Sequence, residues 1–281
     1  MMYTGLAMSL MLIGGANGLV IGTPTARLTQ QKITMADSNF YAVFHTFKRG
    51  KKDAFWESLA DADFAAMAKA QHESGIFNHY FMPADVDGPV LCLWECKDTE
   101  MGSVAFKEFI DGPDSPAADL NNKVYPINEA AATPGSAWPT MPKTPVPTTG
   151  SFFWVQHAMN KGKNDEFWET VASVDMAAFA AANKAKGFHN HNFLPTTDPS
   201  CIFCVWETKE PMEAAEFQTF IDSEVFPGLM TNRVYPTMEG ASLPSAAFTT
   251  SWLDETMKKI EEFSNFNLEE IVAKLKEATK M

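Results

Sequence analysis

Three polar side chains set in apolar surroundings, His45, His79 and Glu95, recur 112 residues further on as His157, His191 and Glu207. Two imidazoles with a carboxylate are a donor set for a divalent transition metal. An imidazole near a carboxylate can also move protons in acid-base catalysis. Either chemistry requires the three side chains to approach one another. Asn78 and Asn190 precede the second histidine of each set, and with His189 and Asn192 the stretch 189–192 is the densest polar cluster in the chain. His79, His191, Asn78 and Asn190 are therefore the candidates for a ligand pocket. The competing expectation is structural. No spacing completes a metal ligand set, and neither a Ser-His-Asp arrangement nor a Gly-rich phosphate loop is present. On that reading the histidines are satisfied core residues, and no metal, cofactor or catalytic residue is expected. If the chain is an enzyme, His45, His157, Glu95 and Glu207 are the acid-base candidates.

The recurrence extends well beyond these residues. Residues 40–75 match 152–187 without a gap, with 16 of 36 positions identical. Downstream, Phe55-Trp56-Glu57 returns as Phe167-Trp168-Glu169, Cys92-x-Trp94-Glu95 as Cys204-x-Trp206-Glu207, and Val124-Tyr125-Pro126 as Val234-Tyr235-Pro236. Two copies are too few for a solenoid but suit a pseudo-twofold pair in which each covers the other.

Within the first copy, the Val, Phe and Tyr content of Phe40 to Lys48 predicts a strand that Gly50 closes. Residues 52–73 are predicted as one helix, with Phe55, Leu59 and Met67 on its apolar stripe and Gly75 stopping it. Phe77 to Met82 and Val90 to Cys96 are predicted strands joined by the turn Asp87-Gly88-Pro89. Residues 100–111 follow as a helix through Val104, Phe106, Phe109 and Ile110, then a short strand from Lys123 to Ile127. The order β-α-β-β-α-β is the ferredoxin-like split pattern. Strand 3 then lies between strands 1 and 2, where His45, Glu95 and His79 could meet. Strand 1 is apolar on both parities, so the sheet face without helices needs a cover. A second sheet packed on it supplies one, as in the dimeric α+β barrel superfamily, which this layout resembles in fused form. The fold class is thus α+β: tandem ferredoxin-like modules at 38–129 and 150–239, pseudo-twofold, with a Pro-rich linker at 130–149 that is long enough to bridge them.

Outside the modules, residues 1–36 contain no Asp or Glu, and an apolar run from Leu6 to Ile13 is followed by Gly14, Gly15, Ala16 and Gly18. The run is shorter than the roughly 20 residues that span a bilayer and reads as a targeting segment, either the bipartite presequence of a complex plastid or a secretory signal. Residues 250–281 form a helical appendix with apolar positions Trp252, Leu268, Ile271, Val272 and Leu275, and Asp254 and Glu270 in capping-box positions. It is expected either to dock on its own domain or to reach another subunit. The net charge of −13 argues against a nucleic-acid partner. Cys92, Cys96, Cys201 and Cys204 fall within predicted strands and read as small core residues rather than disulfide or metal partners.

The tandem modules, the presequence, the repeated Phe-Trp-Glu, Cys-x-Trp-Glu and Val-Tyr-Pro signatures and the appendix together resemble the pyrenoid shell proteins of diatoms and related algae. That resemblance covers residues 38–281 and implies a plastid protein at the pyrenoid periphery. Such a protein assembles with itself into a sheet or tube around the Rubisco condensate, with Rubisco or the pyrenoid matrix as a further partner, and limits CO2 leakage. It carries over no catalytic residue and no membrane span. The alternative is a dimeric α+β barrel enzyme or small-ligand binder of the monooxygenase, cyclase or haem-handling kind, with its pocket between sheet and helices.

Overall fold

The computed structural model describes residues 40–132, 150–238 and 243–244, apart from 61, 63, 97–101, 114, 130, 199 and 200. The expected targeting segment at 1–36, linker residues 133–149 and the expected appendix with Trp252, Leu268, Ile271, Val272 and Leu275 lie outside the described residues. No helix among the described residues is long and apolar enough to cross a membrane.

The first module runs β1 (Phe40–Phe47), α1 (Lys52–Ala60), α2 (Phe64–Ser74), β2 (Ile76–Pro83), β3 (Val90–Cys96), α3 (Gly102–Asp111) and β4 (Leu120–Pro126). The second repeats it as β5 (Phe152–Met159), α4 (Asn164–Ser173), α5 (Met176–Ala185), β6 (Phe188–Pro195), β7 (Cys201–Thr208), α6 (Ala214–Glu224) and β8 (Met230–Pro236), followed by β9 (Leu243–Pro244). The sheets have the orders β4-β1-β3-β2-β9 and β6-β7-β5-β8, with antiparallel pairing throughout. These are tandem ferredoxin-like α+β modules.

The single helix expected over 52–73 is two helices, and the second copy shows why. Val174 is extended, and the Asp175 carboxylate accepts from the Ala178 backbone N–H at 3.0 Å, so the aspartate starts a new helix instead of continuing the old one. Val104, expected on the apolar stripe of α3, is 72% exposed, while Phe106 and Ile110 hold the buried side. The last strand of the first module begins at Leu120, three residues before the expected start.

Strand alternation sorts each sheet into two faces. Tyr41, Val43, Cys92 and Trp94 face the helices of the first module, with Tyr41 stacked on Phe106 at 4.3 Å. In the second module Phe153, Val155, Cys204 and Trp206 do the same, with Phe153 on Phe217 at 4.4 Å. The opposite faces meet in a shared core of Phe40, Ala42, Leu91, Leu93, Trp154, Phe203 and Val205 with their neighbours. Each fully buried side chain of this size contributes about 1.5–3 kcal/mol, so neither sheet is stable with that face in water.

The sheets are also joined at both edges by related contacts. Past β4, Ile127 bridges Thr196, the Asn128 N–H donates to the Pro195 carbonyl at 2.8 Å and the Thr197 N–H to the Pro126 carbonyl at 2.8 Å. Past β8, the Met238 N–H donates to the Pro83 carbonyl at 2.8 Å, and Leu243 pairs with Phe81 in β2. The first module's tail thus meets the end of β6, and the second module's tail pairs along the edge of β2. At the centre of the seam the Tyr80 hydroxyl donates to Asn192 Oδ1 at 2.6 Å, and both residues are buried. They occupy the same position in the two copies, so the hydrogen bond spans the pseudo-twofold axis.

Candidate functional site

The expected meeting of His45, His79 and Glu95 does not occur. In the β1–β3 pairing His45 lies opposite Val90 and Glu95 opposite Phe40, at opposite ends of the strands. They also point to opposite faces, because residues 45 and 41 share the helix side whereas 95 shares the inter-sheet side with Leu91 and Leu93. The structure makes two kinds of histidine site, each present in both modules.

His45 is sealed between sheet and helices. Its Nδ1 lies 2.6 Å from Asn122 Oδ1, and Asn122 Nδ2 donates to Asp111 Oδ1 at 2.9 Å and to the carbonyls of Ile110 and Ala117. Because the amide nitrogen faces acceptors only, the amide oxygen must face the ring, and His45 Nδ1 carries the proton. Nε2 is left buried without a partner. His157, Asn232 and Asp222 repeat the chain, at 2.7 and 2.9 Å. Burial pushes both imidazoles down to about 4, only partly offset by the asparagine and aspartate. At neutral pH they are uncharged and weakly basic, far from the pKa near the working pH that favours general acid-base catalysis.

His79 and His191 sit at β-bulges. In β2 the register shifts between Asn78 and Tyr80, and in β6 between Asn190 and Asn192. His79 follows Phe77 onto the inter-sheet face with Glu95, the extra residue puts Tyr80 on that face as well, and Asn78 stays on the helix side, where its Nδ2 donates to Cys92 Sγ at 3.7 Å. Asn190 lies opposite Trp206 on the equivalent helix side. Neither asparagine shares a face with the histidine that follows it. His79 Nε2 meets Glu95 Oε2 at 2.6 Å with side chains 0% and 10% exposed, and His191 Nε2 meets Glu207 Oε2 at 2.8 Å with 2% and 25%. An ionised carboxylate only accepts, so Nε2 is the protonated nitrogen in each.

The neighbours of these two pairs differ. Glu95 lies between Phe40 and Phe77, all three buried, and both phenyl rings pack against His79. Glu207 lies between Phe152 and His189, all three half-buried. His189 thus stands where the first module has Phe77. Its ring lies 4.4 Å from that of His191, and burial with the nearby His191 and Lys184 pushes it down to about 4. His189 Nε2 and His191 Nδ1 are both buried without a hydrogen-bond partner. Among the described residues, no group of three or more His, Cys, Asp or Glu side chains is arranged to hold a metal ion.

The four cysteines are buried and form no disulfide, and burial pushes the Cys92, Cys201 and Cys204 thiols up to about 12, 11 and 12. They are unreactive core residues. Asn122, Asn232, Asp111 and Asp222 escaped the sequence reading, although each pair is retained at matching positions of the two copies.

No curated protein matches the chain. Among solved structures, it is similar to chlorite dismutase from Candidatus Nitrospira defluvii in complex with imidazole, at 12% identity and TM-score 0.42 over 82% of this chain and 97% of that one. It is also similar to a candidate monooxygenase from Lactobacillus acidophilus NCFM, at 9% identity and TM-score 0.39 over 74% of this chain and 96% of that one. Neither similarity gives a role to a residue here. A family model described as a domain of unknown function, DUF8652, matches residues 40–135 and again 152–244, once per module and over more than half of the sequence, so the chain belongs to that family.

Proposed function

We propose that the chain is a structural protein that assembles with copies of itself into a sheet or tube around the Rubisco condensate of an algal pyrenoid, in the plastid, supporting CO2 fixation. The observation that carries this reading is the filling of the two sheet-helix interiors. The stacked rings of Tyr41 on Phe106 and Phe153 on Phe217, with Trp94 and Trp206 beside them, occupy the space where an enzyme of this architecture would hold its substrate. The histidines that would act there are locked to Asn122 and Asn232. A unit with two similar but unequal halves presents unequal surfaces, and contacts between unequal surfaces can propagate into open arrays when the rotation between neighbours does not close a ring. The appendix stripe Leu268, Ile271, Val272 and Leu275 adds a candidate contact, worth up to about 1.5–3 kcal/mol per buried side chain before association costs.

Negative-stain microscopy and sedimentation of residues 37–281 test the reading. Extended arrays are expected, and they should be lost on truncation at Ser245 or in the Ile271→Asp, Leu275→Asp double variant while the modules stay folded. A chain that is monomeric at every concentration rejects it. A second reading, a small-ligand binder, is favoured by the solvent-reaching cluster of His189, His191 and Glu207.

A further inference from the structure

We infer that His189 and His191 form a binding site for a divalent first-row transition ion that favours imidazole, of the Zn2+ or Cu2+ kind, with Glu207 as the carboxylate that orients His191. The inference is independent of the assembly role. Residues 189 and 191 both face the inter-sheet side, and the tilted rings stand 4.4 Å apart between centroids. Glu207 pairs across the strands with His189 and accepts the Nε2–H of His191. That bond fixes the tautomer: His191 Nδ1 carries the lone pair, and this nitrogen, on a side chain only 2% exposed, has no partner. His189 Nε2 has none either, and as the Nδ1–H tautomer this neighbouring ring offers a second lone pair.

Unsatisfied buried polar atoms are rare and call for an explanation, and two adjacent imidazole lone pairs are satisfied together by one cation. A carboxylate on the far nitrogen of a ligating histidine is the usual support for such a ligand, since it fixes the ring and raises its basicity. With two protein ligands the remaining coordination positions fall to water or to a donor on a bound molecule, which the partial exposure of Glu207 and His189 admits. The first module cannot do the same, because Phe77 replaces one ligand.

Calorimetric titration of the full chain with ZnCl2 at pH 7.5 tests the site. One equivalent should bind, Glu207→Gln should weaken binding about 10–100-fold, and His189→Phe, the residue of the first module, should abolish it with the circular dichroism spectrum unchanged. In the unmodified protein Zn2+ should shift the imidazole 15N resonances of His189 and His191 and leave those of His45 and His157 in place. Absence of binding, binding that survives in folded His189→Phe, or shifts that leave His189 and His191 untouched would each overturn the inference.

Discussion

The two modules build the same row of side chains to different ends. In the first, Phe40, Glu95 and Phe77 line up across three strands and His79 closes over the carboxylate, with every member buried. In the second, Phe152, Glu207 and His189 occupy the same positions, yet only His191 is fully shielded and water reaches the rest. A single exchange of an aromatic for an imidazole, Phe77 against His189, separates a sealed ion-pair-like contact from one that can meet a ligand. Duplication makes this tolerable: one copy keeps the packed arrangement while the other accepts a polar atom that its own core does not satisfy.

The comparison can first be bracketed by what the copies share. His45 and His157 have folded pKa values near 4 against 6.5 when exposed. The unfolded chain therefore binds more protons between those values, and stability rises with pH. Their contribution should be complete above about pH 6.5 and fall through the window from 6.5 to 4 by roughly 1.4 kcal/mol per pH unit for each histidine. Urea midpoints measured across that range should show the slope, and His157→Gln should reduce it by one histidine's share, about 1.4 kcal/mol per pH unit. A stability independent of pH there would mean that these rings are not buried neutral.

Between the sites that differ, His79→Ala should cost about 3–5 kcal/mol, because it breaks a buried histidine–carboxylate contact. His191→Ala should cost less, about 1–3 kcal/mol, since Glu207 can be hydrated. Equal losses in denaturant titrations would erase the distinction between sealed and open. At the axis, Tyr80→Phe leaves Asn192 Oδ1 without its donor and should cost about 1–3 kcal/mol. A double-mutant cycle with Asn192→Ala should return a coupling of about 0.5–3 kcal/mol. The smallest effect runs the other way. Metal-free His189→Phe should gain about 1 kcal/mol, by removing a buried nitrogen that has no partner, and a loss in its thermal midpoint would show that the imidazole is satisfied.

The fold was legible because the repeat marks the residues that face inward. Phe-Trp-Glu, Cys-x-Trp-Glu and Val-Tyr-Pro anchor the first helix, the central strand and the last strand in both copies, and their spacing yields the strand order. The break in the long helix was not, because 61–63 holds neither Gly nor Pro. Its signal was an aspartate before an Ala-rich run, and in the second copy Asp175 caps a new helix instead of continuing the old one. Placing the last strand at Lys123 left Asn122 outside the sheet and hid the partner that fixes His45. The bulge after Asn78 puts Tyr80 on the same face as His79 and reverses the facing of everything beyond it. Sequence alternation alone cannot register that, although a polar Asn-His doublet within an apolar strand is where one would look.

The exchanged tails have a consequence for how the chain is made. Leu243 pairs with the edge that Phe81 offers, and among the described residues the inner face of the first sheet is covered by the second. A ribosome adding about 5–20 residues per second delivers that cover some seconds to tens of seconds after the first module has emerged. Throughout that interval Phe40, Leu91, Leu93 and an unpaired strand edge stand open to other nascent chains. The first half therefore depends on being held apart from its neighbours until its twin arrives, and its sheet should reach full stability only when the second docks on it.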